Sequence, residues 1–289
     1  MLRYDEPVFR PPSEARSLII QATIGCSHNR CTFCGSYRMK KFREKSIEEI
    51  RKDLLIARRI FGEVKRIFLA DGNAFTMHSE KLLEIIRIAR EIFPGLERVS
   101  AYACPADILN KSPQEIKMLA ESGLNLLYMG VETGHEGLLK EIKKGVDARE
   151  MVEAGRKAIE NGMKLSVTVI TGLGGKELSY DHAKETAGAL NQMKPHFTAA
   201  LTLILVPGTP LHRKYERGEF HPLNPLETLQ ELRWMVEDLD YSTVFRCNHA
   251  SNYLPLKGNL PEDKERLLST LDYGIAHPEL LRPEFLRGL

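Results

Sequence analysis

The sequence of 289 residues lacks any apolar run that approaches the roughly 18 residues needed to cross a bilayer, and its first residues lack the apolar core of a signal peptide. The net charge at pH 7 is only +2, so the overall charge does not require a polyanionic partner. The five cysteines are an odd number with three clustered, which does not suit a disulfide framework. These absences predict a cytoplasmic globular protein with no membrane partner.

The sequence also has no internal repeat, no low-complexity segment and no G-x-G-x-x-G run after its first predicted strand. The missing glycine pattern weighs against a dinucleotide-binding sheet. Hydrophobic residues make up 43% of the chain and charged residues 28%, which is ordinary for a globular protein with a sizeable core. A chain of this length suits one large domain, or one domain with an appendage.

Three of the five cysteines, Cys26, Cys31 and Cys34, lie within nine residues. Three thiolates on one short loop can hold a metal centre on three sides and leave its fourth side open, which distinguishes a reactive site from a closed structural one. Thiolates select zinc, copper(I) or iron–sulfur clusters over hard cations. A four-iron cluster with three cysteine ligands has one iron that can bind another molecule.

A structural zinc loop is the alternative, with His28, Cys104 or Cys247 as the fourth ligand. Zinc sites in small modules usually consist of two matched ligand pairs, and the sequence has no second pair. The chain is also long enough to fold without a metal. The cysteines therefore favour an iron–sulfur cluster over zinc.

Strands and helices alternate along the chain. The hydrophobic pattern predicts six strands, at 17–23, 65–70, 98–103, 125–131, 164–171 and 197–206. It predicts helices between them, one beginning at Ser46 with Glu49 completing a capping box, and others at 79–93, from Ser112, at 147–160 and at 179–193. Strand–helix units at a spacing of roughly 30 to 40 residues indicate parallel βαβ architecture. Because the notable polar residues follow strand ends, which a barrel gathers on one face, we predict an α/β fold with a partial or full (β/α) TIM-type barrel.

The pattern changes from Asn224 onward. A helix is expected from there to about Leu239, followed by a strand at 243–248 and a helix at 261–273. We therefore predict a barrel core at 1–223 and a C-terminal α+β extension at 224–289 that packs on it. The segment 245–258 gathers polar residues, including His249, and is either a substrate-binding surface or a hydrogen-bonded connection.

The cysteine triplet after the first strand, with Phe33 directly before Cys34, resembles the radical S-adenosylmethionine (radical SAM) superfamily over about residues 17–215. The sequence is most similar to the branch that contains the oxygen-independent coproporphyrinogen oxidases, the methylthiotransferases and the elongator-type radical SAM domains. It departs from the usual pattern in having four residues, not three, between Cys26 and Cys31. The resemblance implies that the three loop cysteines ligate a [4Fe-4S] cluster whose open iron is chelated by S-adenosylmethionine (SAM).

The resemblance further implies reductive cleavage of SAM and abstraction of hydrogen from a substrate, either a small molecule or a tRNA. It also implies an electron donor such as flavodoxin or ferredoxin. The sequence has no separate RNA-binding domain and no second cysteine group for an auxiliary cluster, which weighs against sulfur insertion. Neither the substrate nor the oligomeric state follows from the sequence.

The resemblance implies SAM contacts at several strand ends. The implied cofactor-binding residues are Phe33, Asp71, Gly72, Asn73, Tyr102, Glu132, Lys144, Ser166, Thr168 and Gly172. Asp71-Gly72-Asn73 stands where the family has a glycine-rich turn at the methionyl ammonium, although Asp-Gly is also common in ordinary turns. Tyr102 stands where some relatives have an acidic ribose contact, so it is instead expected to line the pocket.

Glu132 and Lys144 lie twelve residues apart, as in coproporphyrinogen-type enzymes. Glu132 is expected to accept hydrogen bonds from the ribose hydroxyls or the ammonium, and Lys144 to pair with the methionyl carboxylate. The alternatives are a helix cap for Glu132 and a solvated lysine for Lys144. Ser166, Thr168 and Gly172 resemble the segment along the adenine, although alternation is typical of any core strand.

A second hypothesis, from another class, is a zinc-stabilised binding module with RNA as its candidate ligand. The basic stretch at 38–43, beside the cysteine loop, motivates it. Phosphate contacts from such a stretch would make RNA binding strongly salt-dependent. The same residues could equally form a solvated face or balance the charge of the cluster.

Overall fold

The structure, a computed structural model, describes residues 2–288. Within that range it contains ten strands: β1 Leu18–Gln21, β2 Thr23–Ile24, β3 Arg43–Glu44, β4 Arg66–Ala70, β5 Arg98–Ala103, β6 Leu124–Glu132, β7 Lys164–Thr171, β8 Phe197–Thr202, β9 Thr243–Cys247 and β10 Leu256–Leu260. It also contains ten α-helices: α1 Ile47–Phe61, α2 Ser79–Ile92, α3 Pro105–Leu109, α4 Pro113–Ser122, α5 Glu136–Glu141, α6 Ala148–Glu160, α7 Gly175–Met193, α8 Pro210–Glu216, α9 Pro225–Asp238 and α10 Lys264–Ala276. None of these helices is long and apolar enough to cross a membrane.

The chain forms two compact units. The first unit comprises 36–129 and 157–165 together with the described residues up to 29. The second unit comprises 30–35, 130–156 and the described residues from 166 onward. The division at 223/224 expected from the sequence stays a prediction.

The first unit is built on parallel strands. β1 pairs with β4, β4 pairs with β5, and β5 pairs with the first part of β6, in every case in parallel register. The core side chains of these strands include Ile20, Phe68, Leu69 and Leu127, each at most 1% exposed. Near-continuous apolar runs of this kind are typical of parallel strands that are covered on both faces. The strand predictions of the sequence are confirmed here.

Helices α1, α2 and α4 belong to the same unit, where α1 packs on α2 and α2 on α4. Helix α1 begins with the predicted capping box, in which the Glu49 N–H donates to Ser46 Oγ (3.2 Å) and the Ser46 N–H donates to Glu49 Oε2 (2.7 Å). Its buried stripe of Ile50, Leu54 and Ala57 follows the helical period. Helix α1 also packs against β1.

The second unit contains β7, β8, β9 and β10. β7 pairs with β8 and β8 with β9 in parallel, and β9 pairs with β10 antiparallel. Helix α9 packs against both α7 and α10. Strand β8 ends at Thr202, short of the predicted end at 206. The chain then turns before α8, where the Thr209 N–H donates to the Val206 carbonyl (3.2 Å).

Several short elements were not predicted from the sequence. Helices α3 and α8 have five and seven residues, too few to show a complete helical stripe. Strand β10 has the sequence LKGNL, in which a central glycine and an asparagine weaken the strand signal.

Candidate functional site

Cys26 lies two residues after β2 in the first unit. The Gly72 N–H donates to the Gly25 carbonyl (3.1 Å), and the Asn29 N–H points to Cys26 Sγ (3.5 Å). A Cβ at position 72 would lie 2.7 Å from Cys26 Cβ, so only glycine fits this close approach. The turn after β4 and the cysteine loop are therefore packed directly on each other.

The environment of Cys26 favours its thiolate. A hydrogen bond from the Cys104 side chain is the main cause that lowers the pKa of the Cys26 thiol to about 6, and backbone hydrogen bonds from Asn29 and His28 add to it against the opposing effect of burial. At pH 7 the thiolate, which is the form that binds metals, therefore predominates. The sequence pattern did not predict this contact between Cys104 and Cys26.

Asp71 has a fully buried carboxylate with several partners in the first unit. Oδ2 lies 2.9 Å from Lys40 Nζ and accepts from the Gly25 N–H (3.0 Å), and Oδ1 accepts from Gln21 Nε2 (3.1 Å). Lys40 also donates to the Pro7 carbonyl (2.7 Å). Asp71 thereby holds the start of the cysteine loop against β1 and the N-terminal segment, while its expected SAM contact stays a prediction.

Asn73 joins the cysteine loop to the start of α3. Its Oδ1 accepts from the Ser27 N–H (2.9 Å), and its Nδ2 donates to Ser27 Oγ (2.6 Å) and to Asp107 Oδ2 (2.9 Å). The same Asp107 oxygen accepts from the Cys104 N–H (2.8 Å). This chain of hydrogen bonds fixes Cys104 beside the loop that carries Cys26.

Tyr102 lies on β5 in an aromatic cluster of the first unit. Its ring is 4.9 Å from that of Phe68 and 6.2 Å from that of Tyr128, both in edge contacts. Burial raises the pKa of the Tyr102 hydroxyl. Tyr128 in turn donates to the buried Glu14 (2.7 Å), which pairs with Arg98 (2.6 Å). The cluster gives Tyr102 a packing role, and its expected place in a cofactor pocket stays a prediction.

Cys31 and Cys34 lie in the second unit in a tight turn, where the Cys34 N–H donates to the Cys31 carbonyl (3.3 Å). Between them, the Thr32 N–H donates to the Ile142 carbonyl (2.9 Å) and the Thr32 carbonyl accepts from the Leu211 N–H (3.0 Å). Phe33 packs against an apolar cluster of Leu138, Ile142, Leu173, Leu211 and Phe220. Backbone and ring together fix the turn to the end of α5 and the start of α8.

The three loop cysteines fit an iron–sulfur cluster by their chemistry. No disulfide joins the five cysteines, all of which lie in the described range, and Cys26 is poised as a thiolate. Among residues 2–288, no three or more His, Cys, Asp or Glu side chains form a group that could hold a single metal ion. In a cubane each cysteine binds a different iron, so a cluster does not require such a group.

Glu132 and Lys144 form an ion pair in the second unit, with Nζ 2.8 Å from Oε1 and the side chains 11% and 8% exposed. Lys144 is therefore not a solvated lysine. Glu132 does not cap α5, because the Leu138 N–H donates to His135 Nδ1 (3.0 Å) instead. Glu132 has a left-handed φ of 66°, and a Cβ at position 130 would lie 1.9 Å from its Oε1, so Gly130 makes room for the pair.

The end of β7 carries the remaining expected contacts. Ser166 and Thr168 share a half-buried face of this strand and alternate with fully buried valines. Gly172 follows the strand with a φ of 81°, and its N–H donates to Glu231 Oε1 (2.6 Å). Sequence reasoning missed Glu231, although a carboxylate three residues after Thr228 on the buried stripe of α9 was a usable signal.

The basic stretch at 38–43 has partners within the first unit. Lys40 is buried against Asp71, and Arg43 pairs with Glu49 (3.2 Å). These pairs leave fewer of its charges for phosphate contacts than the sequence suggested.

The polar segment at 245–258 bonds to β8. The Thr202 N–H donates to Ser251 Oγ (3.2 Å), Asn252 Nδ2 donates to the Ala200 carbonyl (2.9 Å), and the Ser251 N–H donates to His249 Nδ1 (3.1 Å). These contacts support the interpretation of this segment as a hydrogen-bonded connection.

A family model described as the Radical SAM superfamily matches residues 20–190 of the chain. The heme chaperone HemW of Bacillus subtilis is 26% identical over 176 residues, which are 60% of this chain and 45% of that protein. A Methanocaldococcus jannaschii protein named for methylthiotransferase activity is 23% identical over 162 residues, 53% of this chain and 35% of that protein. The chain thus spans less than half the length of either relative.

Two solved structures share the fold. Escherichia coli coproporphyrinogen III oxidase matches with a TM-score of 0.58 at 17% identity, over 78% of this chain and 54% of that one. The archaeal Elp3 of Methanocaldococcus infernus matches with a TM-score of 0.53 at 16% identity, over 80% of this chain and 58% of that one. These likenesses confirm the predicted α/β fold of the partial TIM-barrel type. The family model confirms the predicted superfamily, and the curated relatives that the chain is similar to include a heme chaperone and a protein named as a methylthiotransferase.

Proposed function

The chain belongs to the radical SAM superfamily, and we propose that it binds a [4Fe-4S] cluster through Cys26, Cys31 and Cys34 and SAM at the iron that they leave open. When bound by these cysteines, the cluster would supply the electron for reductive cleavage of SAM, the chemistry that leads to hydrogen abstraction from a substrate. The observation that carries the proposal is the cysteine triplet inside the matched span. Membership of this superfamily favours the enzyme over the zinc-stabilised RNA-binding module.

The first unit supports the cluster proposal through Cys26. The thiol that must ligate iron is a thiolate at neutral pH, so binding does not have to displace a proton from it. The side chains of Asp71 and Asn73 accept hydrogen bonds from backbone N–H groups of the cysteine loop, and Gly72 permits the close approach of the two turns. We propose that these three residues set the loop geometry, with the backbone of the Asp71–Asn73 turn left to face the cofactor.

The second unit supports the SAM proposal through Glu132 and Lys144. The methionyl end of SAM carries an ammonium and a carboxylate, and a buried Glu–Lys pair offers the complementary charges at a fixed separation. Ser166, Thr168 and Gly172 on and after β7 are proposed to line the adenine, and Tyr102 and Phe33 to shape the site.

The substrate is proposed only as a class, a small molecule or a tRNA. The similar proteins include a heme chaperone, a coproporphyrinogen oxidase and an Elp3 protein, so their names do not agree on one substrate. An external reductant such as flavodoxin or ferredoxin and a cytoplasmic location are part of the same proposal. So is the division into a core at 1–223 and an extension at 224–289.

The test is anaerobic reconstitution with iron and sulfide. The wild-type protein should become brown, contain about four irons and four sulfides per chain, and convert SAM to 5′-deoxyadenosine when reduced. Replacing Cys26, Cys31 and Cys34 together by Ala should abolish both the cluster and the cleavage.

Two single variants serve as matched controls. Cys247→Ala removes a buried cysteine on β9 and should keep the cluster and the cleavage. Cys104→Ala should also keep about four irons, because Cys104 bonds to a ligand but is not one in this proposal. A wild-type protein that stays colourless and binds zinc instead would refute the assignment.

A further inference from the structure

Behind the ends of β6 and β7, the second unit buries a carboxylate and an imidazole side by side. Glu231 on α9 and His182 on α7 are both 0% exposed. Glu231 Oε1 accepts from the Gly172 N–H and Oε2 accepts from the Ser179 hydroxyl, each at 2.6 Å. One carboxylate thus binds both the turn after β7 and the first part of α7.

The contacts of His182 determine its tautomer. Nε2 lies 3.1 Å from the Ile170 carbonyl oxygen and 3.6 Å from Glu231 Oε1. A carbonyl can only accept, so Nε2 carries the hydrogen. Nδ1 is then an acceptor, and it lies 2.8 Å from Thr133 Oγ1, whose hydroxyl must donate to it. Burial lowers the pKa of His182 to about 4, so the ring is neutral.

Thr133 passes this constraint to the turn after β6. Its Oγ1 accepts from the His135 N–H (3.0 Å) while its hydrogen goes to His182. The neighbouring Gly134 N–H donates to Thr186 Oγ1 on α7 (2.9 Å). The residue directly before Thr133 is Glu132, the strained member of the buried ion pair.

We propose that Glu231 and His182 are positioning residues that fix the turn at 132–135 and the turn at Gly172 relative to each other, and so hold two parts of the SAM site in register. The proposal rests on the proposed function, because it takes Glu132 and Gly172 as SAM contacts. Neither Glu231 nor His182 is expected to touch SAM.

The cost of burying Glu231 supports a positioning role. Position 231 lies on the apolar stripe of α9 beside Leu232 and Met235, where a leucine would fold without desolvating a carboxylate. Replacing buried charged groups by well-packed apolar side chains of similar volume is often neutral or stabilising, and in some proteins such groups instead specify a single geometry. Here that geometry is defined by the two carboxylate oxygens of Glu231, each of which accepts a hydrogen bond, and by the fixed tautomer of His182.

Hydrogen exchange in the cluster-free protein tests the coupling without any cofactor. Glu231→Ala should speed amide exchange at Gly172 and also, through His182, at Gly134 and His135, each by about tenfold. Thr133→Val, which starts from the other turn, should speed exchange at His135 and also at the remote Gly172. Glu231→Gln, which keeps an oxygen for the Gly172 N–H, should stay within about threefold of wild type.

Thr198→Val is the matched control for a lost buried hydroxyl. Thr198 is on β8 in the same unit and bonds to Tyr241 (2.7 Å) and Thr243 (3.1 Å), away from both turns. It should change exchange at neither turn. The proposal would be overturned if each variant sped exchange only at the amide whose acceptor it removes, or if Thr198→Val had equal effects at the two turns. If Glu231→Ala does not fold, Thr133→Val alone decides the matter.

The reconstituted protein separates this inference from the proposed function. Glu231→Ala and Thr133→Val should weaken SAM binding by about tenfold while iron content stays at the wild-type level, and Glu231→Gln should restore the affinity. If the variants show the remote effects on amide exchange but the reconstituted wild-type protein binds no SAM, the proposed function is refuted and the coupling stands. If the wild-type protein binds SAM but the variants change exchange only at the amide whose acceptor they remove, only the coupling is refuted.

Discussion

Lys40 Nζ lies 2.9 Å from Asp71 Oδ2, and the two side chains are only 3% and 0% exposed. The carboxylate that Lys40 neutralises is also the acceptor of the Gly25 N–H, one residue before Cys26. The geometry of the cysteine loop therefore depends on a lysine from the basic stretch at 38–43, and the sequence did not predict that this lysine is buried.

Lys40→Met is expected to destabilise the cluster-free protein by about 3–5 kcal/mol, because it leaves the Asp71 carboxylate buried without its counter-charge. The measurement is the apparent free energy of unfolding in urea. Combining Lys40→Met with Asp71→Asn should cost less than the sum of the two single changes, since the double variant buries no charge.

Lys65→Met in the exposed pair with Glu97 is the matched control, because that pair has the same kind of contact (2.8 Å) with side chains 74% and 54% exposed. It should cost at most about 1 kcal/mol. Similar losses from the Lys40 and Lys65 variants would contradict the structural importance of the buried pair.

Alkylation of the cluster-free protein should reveal the lowered pKa of Cys26, which is about 6. The rate at Cys26, followed by peptide mass spectrometry, should level off above about pH 7, whereas an ordinary thiol continues to accelerate to about pH 9. Cys104→Ala removes the largest cause of the shift and should move the plateau to higher pH.

Cys247 provides an internal reference in the same experiment. It is buried, and burial raises the pKa of its thiol to about 12, so it should stay unmodified until the protein unfolds. A Cys26 rate that follows an ordinary thiol and ignores Cys104→Ala would show that the hydrogen bond between the two cysteines is absent in solution.

The elements that sequence reasoning predicted correctly have local signals. The strand at 65–70 contains an unbroken apolar run at 67–70, and the helix after Ser46 has a capping box and a helical stripe. Cys26, Cys31 and Cys34 could be grouped because they are neighbours in sequence. Local chemistry of this kind is visible before folding.

The parts that could not be predicted are long-range pairs of polar groups. Lys40 meets Asp71 across 31 residues, and Glu231 meets Gly172 across 59. A charged residue in isolation looks the same in sequence whether it is solvated or buried against a distant partner. Only the fold decides which of the lysines and glutamates have such partners, so the residues that hold the proposed site in place emerge from the structure.

Gly130→Ala tests the buried ion pair at the end of β6. The added Cβ would lie 1.9 Å from Glu132 Oε1 and 3.0 Å from Lys144 Nζ, so the pair must break or move. We expect SAM affinity of the reconstituted protein to fall by about tenfold or more. Gly188→Ala is the control: it lies within α7 with no atom within 4 Å of the new Cβ, and should add up to about 1 kcal/mol of stability. Unchanged SAM affinity in Gly130→Ala would argue that the pair does not contact the cofactor.

Glu231→Gln should change how stability depends on pH. Burial raises the pKa of Glu231 from 4.5 to about 7, so between these values the folded protein keeps a proton that the unfolded chain has released. The wild type should therefore lose stability as pH rises from about 4.5 to about 7, by up to about 3 kcal/mol, and then level off.

His182, whose pKa burial lowers to about 4, acts in the opposite direction as pH falls below about 6.5, but both proteins contain it. Because the His182 contribution is common to both, the difference in unfolding free energy between Glu231→Gln and wild type isolates the carboxylate. Measured in urea from about pH 5 to about pH 8, that difference should grow in favour of the variant and reach a plateau near pH 7. A difference that does not change over this pH range would mean that Glu231 is ionised throughout it, which would contradict the raised pKa.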